Sequence, residues 1–233
     1  MSGPERPARP ITGADLARLI DHTALKPTTT AADIDVLCSE AIRYGFWSVC
    51  VSPVYVGRAA LRLRGSGSRI SAVVSFPHGT STTEVKLAEA RRAIEDGARE
   101  IDMVCNIGAL KSGDDGLFSS DIGELSALCR GRGALLKVIL ECCYLDEGEK
   151  VRGALLAEGA GADFVKTSTG FGSGGATRED VALLRKTVSG RVKVKAAGGI
   201  GTAEKALEML NAGADRLGTS SGVKIMESFG WLG

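Results

Sequence analysis

Several things are scarce in this chain, and each scarcity closes off a class of function. Histidine occurs only twice among 233 residues, as His22 and His78. A catalytic metal held by imidazoles needs several such ligands close together, so neither a metal nor any other cofactor is expected. No apolar run is long enough to span a bilayer, which argues against a membrane partner. The net charge is only +1, so there is no basic surplus to attract nucleic acid. Met1 to Pro10 is rich in proline and arginine and lacks the apolar core of a secretion signal. Residues 1–11 are therefore read as a mobile tail, and residues 12–233 as one domain. The six cysteines contain no Cys-x-x-Cys pair, and Cys50 and Cys105 lie in apolar, strand-like runs. That is the usage of reduced thiols in a cytoplasmic protein. The neighbours Cys142 and Cys143 could hold a soft metal, but no further ligands cluster near them.

What the chain has is a repeated alternation. Short apolar runs read as buried strands, and each is followed by an amphipathic stretch with its own start signal. Thr30, Asp146, Thr177 and Thr202 stand where helix N-caps are expected, and Pro53 opens another helix. Junctions such as Gly161-Ala162-Asp163 and Gly213-Ala214-Asp215 supply a glycine at the helix end and a polar turn into the next strand. Eight strand candidates recur at the spacing of βα units, with no hairpin signal between them. The pattern predicts an α/β protein, a parallel (β/α)8 TIM barrel preceded by a short helix over 12–20. The competing architecture, an open parallel sheet, would favour Gly-x-Gly-x-x-Gly after the first strand; Lys26-Pro27-Thr28 follows it instead.

In such a barrel the reactive groups lie at the C-terminal strand ends. Asp21 is read as the end of strand one, Cys50 as near the end of strand two, and Asp102 and Lys137 as inside strands four and five. Lys166 ends strand six, and Lys195 is read as ending strand seven. Lys193 falls at the opposite mouth and reads as solvated. Buried charges return little stability for what they cost to desolvate, so two carboxylates and three lysines at these positions call for a chemical reason. For Lys137 a structural role, neutralising Asp102, remains the simpler reading. Lys166 and Lys195 fall on neighbouring strands. Two ammonium groups about 4 Å apart repel by roughly 4 kcal/mol at an effective dielectric of about 20, enough to free one amine of its proton near neutrality. A free amine attacks a carbonyl and forms a Schiff base, which opens aldol chemistry without a metal.

The loops after strands seven and eight, Gly198-Gly199-Ile200-Gly201-Thr202 and Gly218-Thr219-Ser220-Ser221-Gly222, each open a helix. That is where TIM barrels hold phosphate. The expected ligands are a small aldehyde and a phosphorylated partner. Asp21, Cys50, Lys137, Thr169 and Gly170 are expected around the reacting carbons, and Gly198, Gly199, Ser220 and Ser221 around the phosphate.

The sequence resembles the deoxyribose-phosphate aldolases. The resemblance runs from Leu19 onward and rests on Ile20-Asp21-His22-Thr23, Val74-Ser75-Phe76-Pro77-His78-Gly79, Glu100-Ile101-Asp102-Met103-Val104, Lys137-Val138-Ile139-Leu140-Glu141, Val165-Lys166-Thr167-Ser168-Thr169-Gly170 and Lys195-Ala196-Ala197-Gly198-Gly199. It implies a (β/α)8 class I aldolase, a homodimer or homotetramer, that reversibly cleaves 2-deoxy-D-ribose 5-phosphate to acetaldehyde and D-glyceraldehyde 3-phosphate. By motif, Lys166 would form the Schiff base, Lys195 would perturb it and Asp102 would relay protons. Four positions depart from patterns in the family. Phe171 and Gly201 stand where some members carry a cation, and Glu141-Cys142-Cys143 replaces Glu-Thr-Gly. Two alternatives remain: a class I aldolase for a related short phosphorylated sugar, and a non-catalytic phosphate sensor. A sensor would gain nothing from paired lysines.

Overall fold

A computed structural model describes residues 11–231 and 233. The tail read over residues 1–11 lies outside the described residues up to Pro10. The chain begins with α1 (Gly13–Ala17) and β1 (Ile20–Ala24), then α2 (Ala31–Tyr44), β2 (Ser48–Val51), α3 (Val56–Arg62), β3 (Arg69–Val74), α4 (Thr83–Glu95) and β4 (Glu100–Val104). It continues with α5 (Ile107–Lys111), α6 (Asp115–Gly131), β5 (Leu135–Ile139), α7 (Glu147–Gly159), β6 (Phe164–Lys166), α8 (Arg178–Thr187), β7 (Lys193–Ala197), α9 (Ala203–Asn211), β8 (Arg216–Thr219) and α10 (Gly222–Ser228). The eight strands pair in sequence order and close, β8 joining β1 in parallel. The fold is the (β/α)8 barrel that the alternation predicts.

Local chemistry accounts for most boundaries. Thr12, Thr30 and Asp146 form full capping boxes, with Asp15, Asp33 and Glu149 at the third helical position. Each box satisfies two amides that a helix start leaves without partners. The segment after β4, where the sequence reads as a loose stretch leading to one helix around Ser120 to Arg130, holds two helices. Asn106 caps α5 by accepting from the Ala109 amide at 3.0 Å, and Asp114 caps α6 by accepting from Leu117 at 2.9 Å. Gly108, Gly113 and Gly116 hid these helices, because glycine weakens a helical pattern that caps and packing then restore. The first helix is shorter than expected, since Ile20 is drawn into the sheet opposite Leu217. As a result Asp21 is the second residue of β1, and the strand runs on through His22, Thr23 and Ala24.

The strand period of two sorts the barrel into two regions. Val49, Ile101, Met103, Leu136, Val138, Val165, Val194 and Leu217 face the helices and join the apolar core. The alternate positions face inward, and many are polar yet buried: Asp21, Ser48, Ser71, Glu100, Asp102, Lys137, Lys166, Lys195 and Arg216. TIM barrels usually fill this space with branched apolar layers; this one fills much of it with charge. Gly218 makes room, since a Cβ there would sit 3.0 Å from Cε of Lys195. Among the described residues no helix is long and apolar enough to cross a membrane.

A second buried ion pair lies outside the barrel. Lys86 of α4 reaches Asp121 of α6 at 2.5 Å and donates to the Val104 carbonyl at 3.1 Å. Removing one partner strands the other charge in the core. Asp121→Asn is expected to cost about 3–5 kcal/mol in urea unfolding, and Lys86→Met with Asp121→Leu to recover most of it.

Candidate active site

Asp102, at the centre of β4, is the meeting point of the barrel interior. Its Oδ2 accepts from Lys166 Nζ at 2.7 Å and from Lys195 Nζ at 2.8 Å. Its Oδ1 accepts from Lys137 Nζ at 2.7 Å and from the Ser71 hydroxyl at 2.8 Å. Four donors saturate a carboxylate. Strand register makes this possible, because Asp102 lies opposite Lys137 and Lys166 opposite Lys195. A lower deck supports the upper one. Asp21 Oδ2 accepts from Lys195 at 2.5 Å, and its Oδ1 from Ser48 and the Arg216 guanidinium, both at 2.8 Å. Glu100 pairs with Lys137 at 2.6 Å and with Arg216 at 3.4 Å, and accepts from the Trp47 indole at 2.7 Å.

These contacts divide the lysines. Burial lowers the pKa of Lys166 and outweighs the opposing attraction of Asp102; the Lys195 charge lowers it further. Burial acts on Lys195 in the same sense, but Asp102 and Asp21 overturn it and raise its pKa. Lys137 is likewise raised, burial being outweighed by Asp102, Glu100 and Asp21. Burial alone would push the Asp102 carboxyl up; Lys137, Lys166 and Lys195 hold it well below the usual carboxylate range. The sequence-based account of Lys166 thus needs reordering. Desolvation, not repulsion between ammonium groups, is the first cause, and Asp102 stands between the two lysines.

Above this cluster a cavity of about 780 Å³ opens at the C-terminal end of the barrel. It brings together Lys166, Thr169, Gly170, Gly198, Gly199, Ser220 and Ser221. Asp21, Cys50, Asp102, Lys137 and Lys195 do not line it; they are fully buried in the barrel. Cys50 is a buried thiol whose pKa burial raises. Phe171, 47% exposed, forms part of the cavity wall and meets Phe76 edge-on at 5.2 Å between ring centres.

Several working residues escaped the sequence reading. Glu100 lies two positions before Asp102 on β4, where the strand period points, but it opens its strand like an ordinary polar boundary. Arg216 opens β8 in the same way, with no singled-out neighbour on its strand. Lys26, exposed after β1, is the one basic side chain besides Lys166 among the described residues of the cavity wall. Glu141, buried beside β5 with φ 57°, fixes the loop after β6 by accepting from the Thr169 hydroxyl and amide. Cys143 packs against the same loop, its Sγ 2.8 Å from where a Cβ on Gly172 would lie. The loops after β6 and β7 touch through their backbones, since a Cβ on Gly175 would come within 2.4 Å of the Gly198 carbonyl oxygen.

The model of the DeoC/LacD family aldolases matches residues 16–228. The chain belongs to this family. It is an aldolase, a carbon–carbon lyase. A deoxyribose-phosphate aldolase of Thermococcus kodakarensis is 57% identical over 215 residues, covering 91% of this chain and 96% of the relative. One from a Geobacillus species is 53% identical over 213 residues, covering 91% of this chain and 95% of the relative. Among solved structures, the tetrameric deoxyribose phosphate aldolase of Aeropyrum pernix is 35% identical with a TM-score of 0.89, covering 95% of this chain and 94% of that one.

Five of the aldolase's six thiols are buried and Cys143 is partly exposed. Iodoacetamide at neutral pH is expected to label Cys143 first in the native enzyme, and Cys50 only on unfolding. Peptide mass mapping over time measures the order, and early labelling of Cys50 would place its thiol in the cavity.

Proposed function

We propose that this aldolase reversibly cleaves 2-deoxy-D-ribose 5-phosphate to acetaldehyde and D-glyceraldehyde 3-phosphate through a Schiff base on Lys166. The observation that carries the reading is one buried lysine of lowered pKa on the floor of the cavity, bonded to a carboxylate that other ammonium groups keep ionised. The free amine adds to the C1 aldehyde of the open-chain sugar, and the carbinolamine loses water to give an iminium. The C3 hydroxyl then gives its proton, through water, to the Asp102 carboxylate, and the C2–C3 bond breaks. Its electron pair moves through C2 to the iminium nitrogen, releasing glyceraldehyde 3-phosphate and leaving the enamine of acetaldehyde. Protonation at C2 and hydrolysis return acetaldehyde and the free amine. Lys195, a protonated neighbour of Asp102, is the proton reservoir, and Asp102 links it to Lys166. A chain of short, charge-assisted hydrogen bonds suits such proton movement.

The phosphate lies against the loops after β7 and β8. Thr219 fixes both, donating to the Ile200 carbonyl at 2.6 Å and accepting from the Ser221 amide at 2.9 Å. With Phe171 and Gly201 uncharged, backbone dipoles, the hydroxyls of Ser220 and Ser221 and the Lys26 ammonium carry the recognition. The enzyme works as a homo-oligomer, in keeping with the tetrameric relative from Aeropyrum pernix. It works in the cytoplasm, where its free thiols stay reduced.

Borohydride added with acetaldehyde is expected to fix an ethyl group on Lys166, located by peptide mass mapping. Lys166→Leu is expected to abolish both the adduct and turnover, and an adduct confined to another lysine would refute the assignment. The phosphate site has its own test. Ser220→Asp places a carboxylate against the phosphate and is expected to raise KM for 2-deoxyribose 5-phosphate at least tenfold, with little change for 2-deoxyribose. Equal effects on both substrates would remove the phosphate from this loop.

A further inference from the structure

The charges beneath Lys166 form a closed set. Three carboxylates, Asp21, Glu100 and Asp102, are buried there, and three cations, Lys137, Lys195 and Arg216, are each ion-paired to two or more of them. Lys166 would be a fourth cation. The buried inward positions of β2 and β3 add no charged side chain near these groups, only Ser48, Cys50, Ser71 and the apolar Val73. At the lower rim Arg69 reaches Glu100 only at 4.0 Å with its side chain 48% exposed, and Lys193 lies exposed over the Phe164 ring. Water screens both. At the upper rim Glu141 is turned to the loop after β6. The buried set is therefore electrically balanced when Lys166 is neutral, and carries one unmatched charge when it is protonated. An unmatched charge in a dry interior is among the most costly states a protein can hold.

We propose that Glu100 and Arg216, which do not contact Lys166, are positioning residues that set its protonation state by fixing the net charge of this buried set. The inference rests on Lys166 being the Schiff-base amine. Each acts through intermediaries. Arg216 is bonded to Asp21, Asp21 to Lys195, and Lys195 to the same Asp102 oxygen that holds Lys166. Glu100 is bonded to Lys137, and Lys137 to the other Asp102 oxygen. Arg216 leaves its buried Nε without an acceptor, so hydrogen bonding does not exhaust the reason for a guanidinium there. Trp47 separates charge from packing. Its indole donates to Glu100 and its ring lies 4.4 Å from the Arg216 guanidinium, yet it carries no charge.

The test is the pH dependence of kcat/KM for 2-deoxyribose 5-phosphate in the full-length enzyme, with borohydride trapping by acetaldehyde in parallel. Arg216→Met removes a cation, so Lys166 holds its proton more tightly and the acid limb moves to higher pH. Glu100→Gln removes an anion and moves it to lower pH. Each displacement is on the order of one pH unit, as expected of a unit charge about 10 Å away at an effective dielectric of about 20. Lys195→Leu, which removes a cation touching Asp102, is expected to shift the limb further upward than Arg216→Met. Arg216→Lys and Trp47→Phe are expected to leave it near its wild-type position. If Arg216→Met does not fold, Glu100→Gln alone still decides the sign, and Arg216→Met with Glu100→Gln restores the balance and is expected to restore the wild-type limb. Displacements of the same sign for Arg216→Met and Glu100→Gln, or no displacement in Glu100→Gln while the adduct still forms on Lys166, overturn the proposal. An adduct on another lysine in the wild type instead overturns the Schiff-base assignment, whatever the variants do.

Discussion

The carboxylate of Asp102 is the constraint on which the rest of the barrel interior depends. Both oxygens are fully engaged, with Lys137 and Ser71 on one and Lys166 and Lys195 on the other. A saturated carboxylate is fixed in position and stays ionised, so it can hold an amine in place without removing its own charge from the site. The donors come from β3, β5, β6 and β7, and their convergence requires the closed sheet with its particular register. An open sheet would leave the outer strands too far from one another to share one acceptor.

This arrangement contributes little to folding by itself. Buried ion pairs are poor stabilisers relative to apolar packing, and the stability of the barrel comes from the strand faces turned towards the helices. Val49, Ile101, Met103, Leu136, Val138, Val165, Val194 and Leu217 form a continuous apolar layer with residues such as Leu16, Ile34, Phe46, Phe118 and Leu184. Division of labour follows from strand alternation: one face of each strand holds the fold and the other holds the chemistry. The outer layer supplies the rigidity that keeps seven ionisable side chains from relaxing towards solvent.

Most of this organisation was legible in the sequence, for reasons that differ by element. The barrel followed from the alternation of apolar runs and helix caps, since Thr30, Asp146, Thr177 and Thr202 act within three residues of themselves. Lys166 stood out because a lysine ends a core strand. Glu100 and Arg216 did not, because each opens its strand and looks like an ordinary polar boundary until closure turns it inward. From sequence Asp21 reads as the end of β1, because His22 and Thr23 are not apolar and only pairing with β2 and β8 makes them strand. The ordering of causes at Lys166 was beyond reach. It depends on an intervening carboxylate and on burial, and neither is a property of spacing along the chain.

The backbone contact between Gly175 and the Gly198 carbonyl joins the loop that follows Lys166 to the loop that leads into α9. With no side chain to act as a spacer, the two segments meet as one surface, one ending beside the proposed Schiff-base lysine and the other beside the expected phosphate. For protein engineering, these loops form a single exchangeable part. A segment transplanted from a relative into one of them carries its own backbone path, and it fits only if the facing segment travels with it. Libraries that randomise the pair together explore shapes of the substrate chamber that libraries confined to either loop cannot reach.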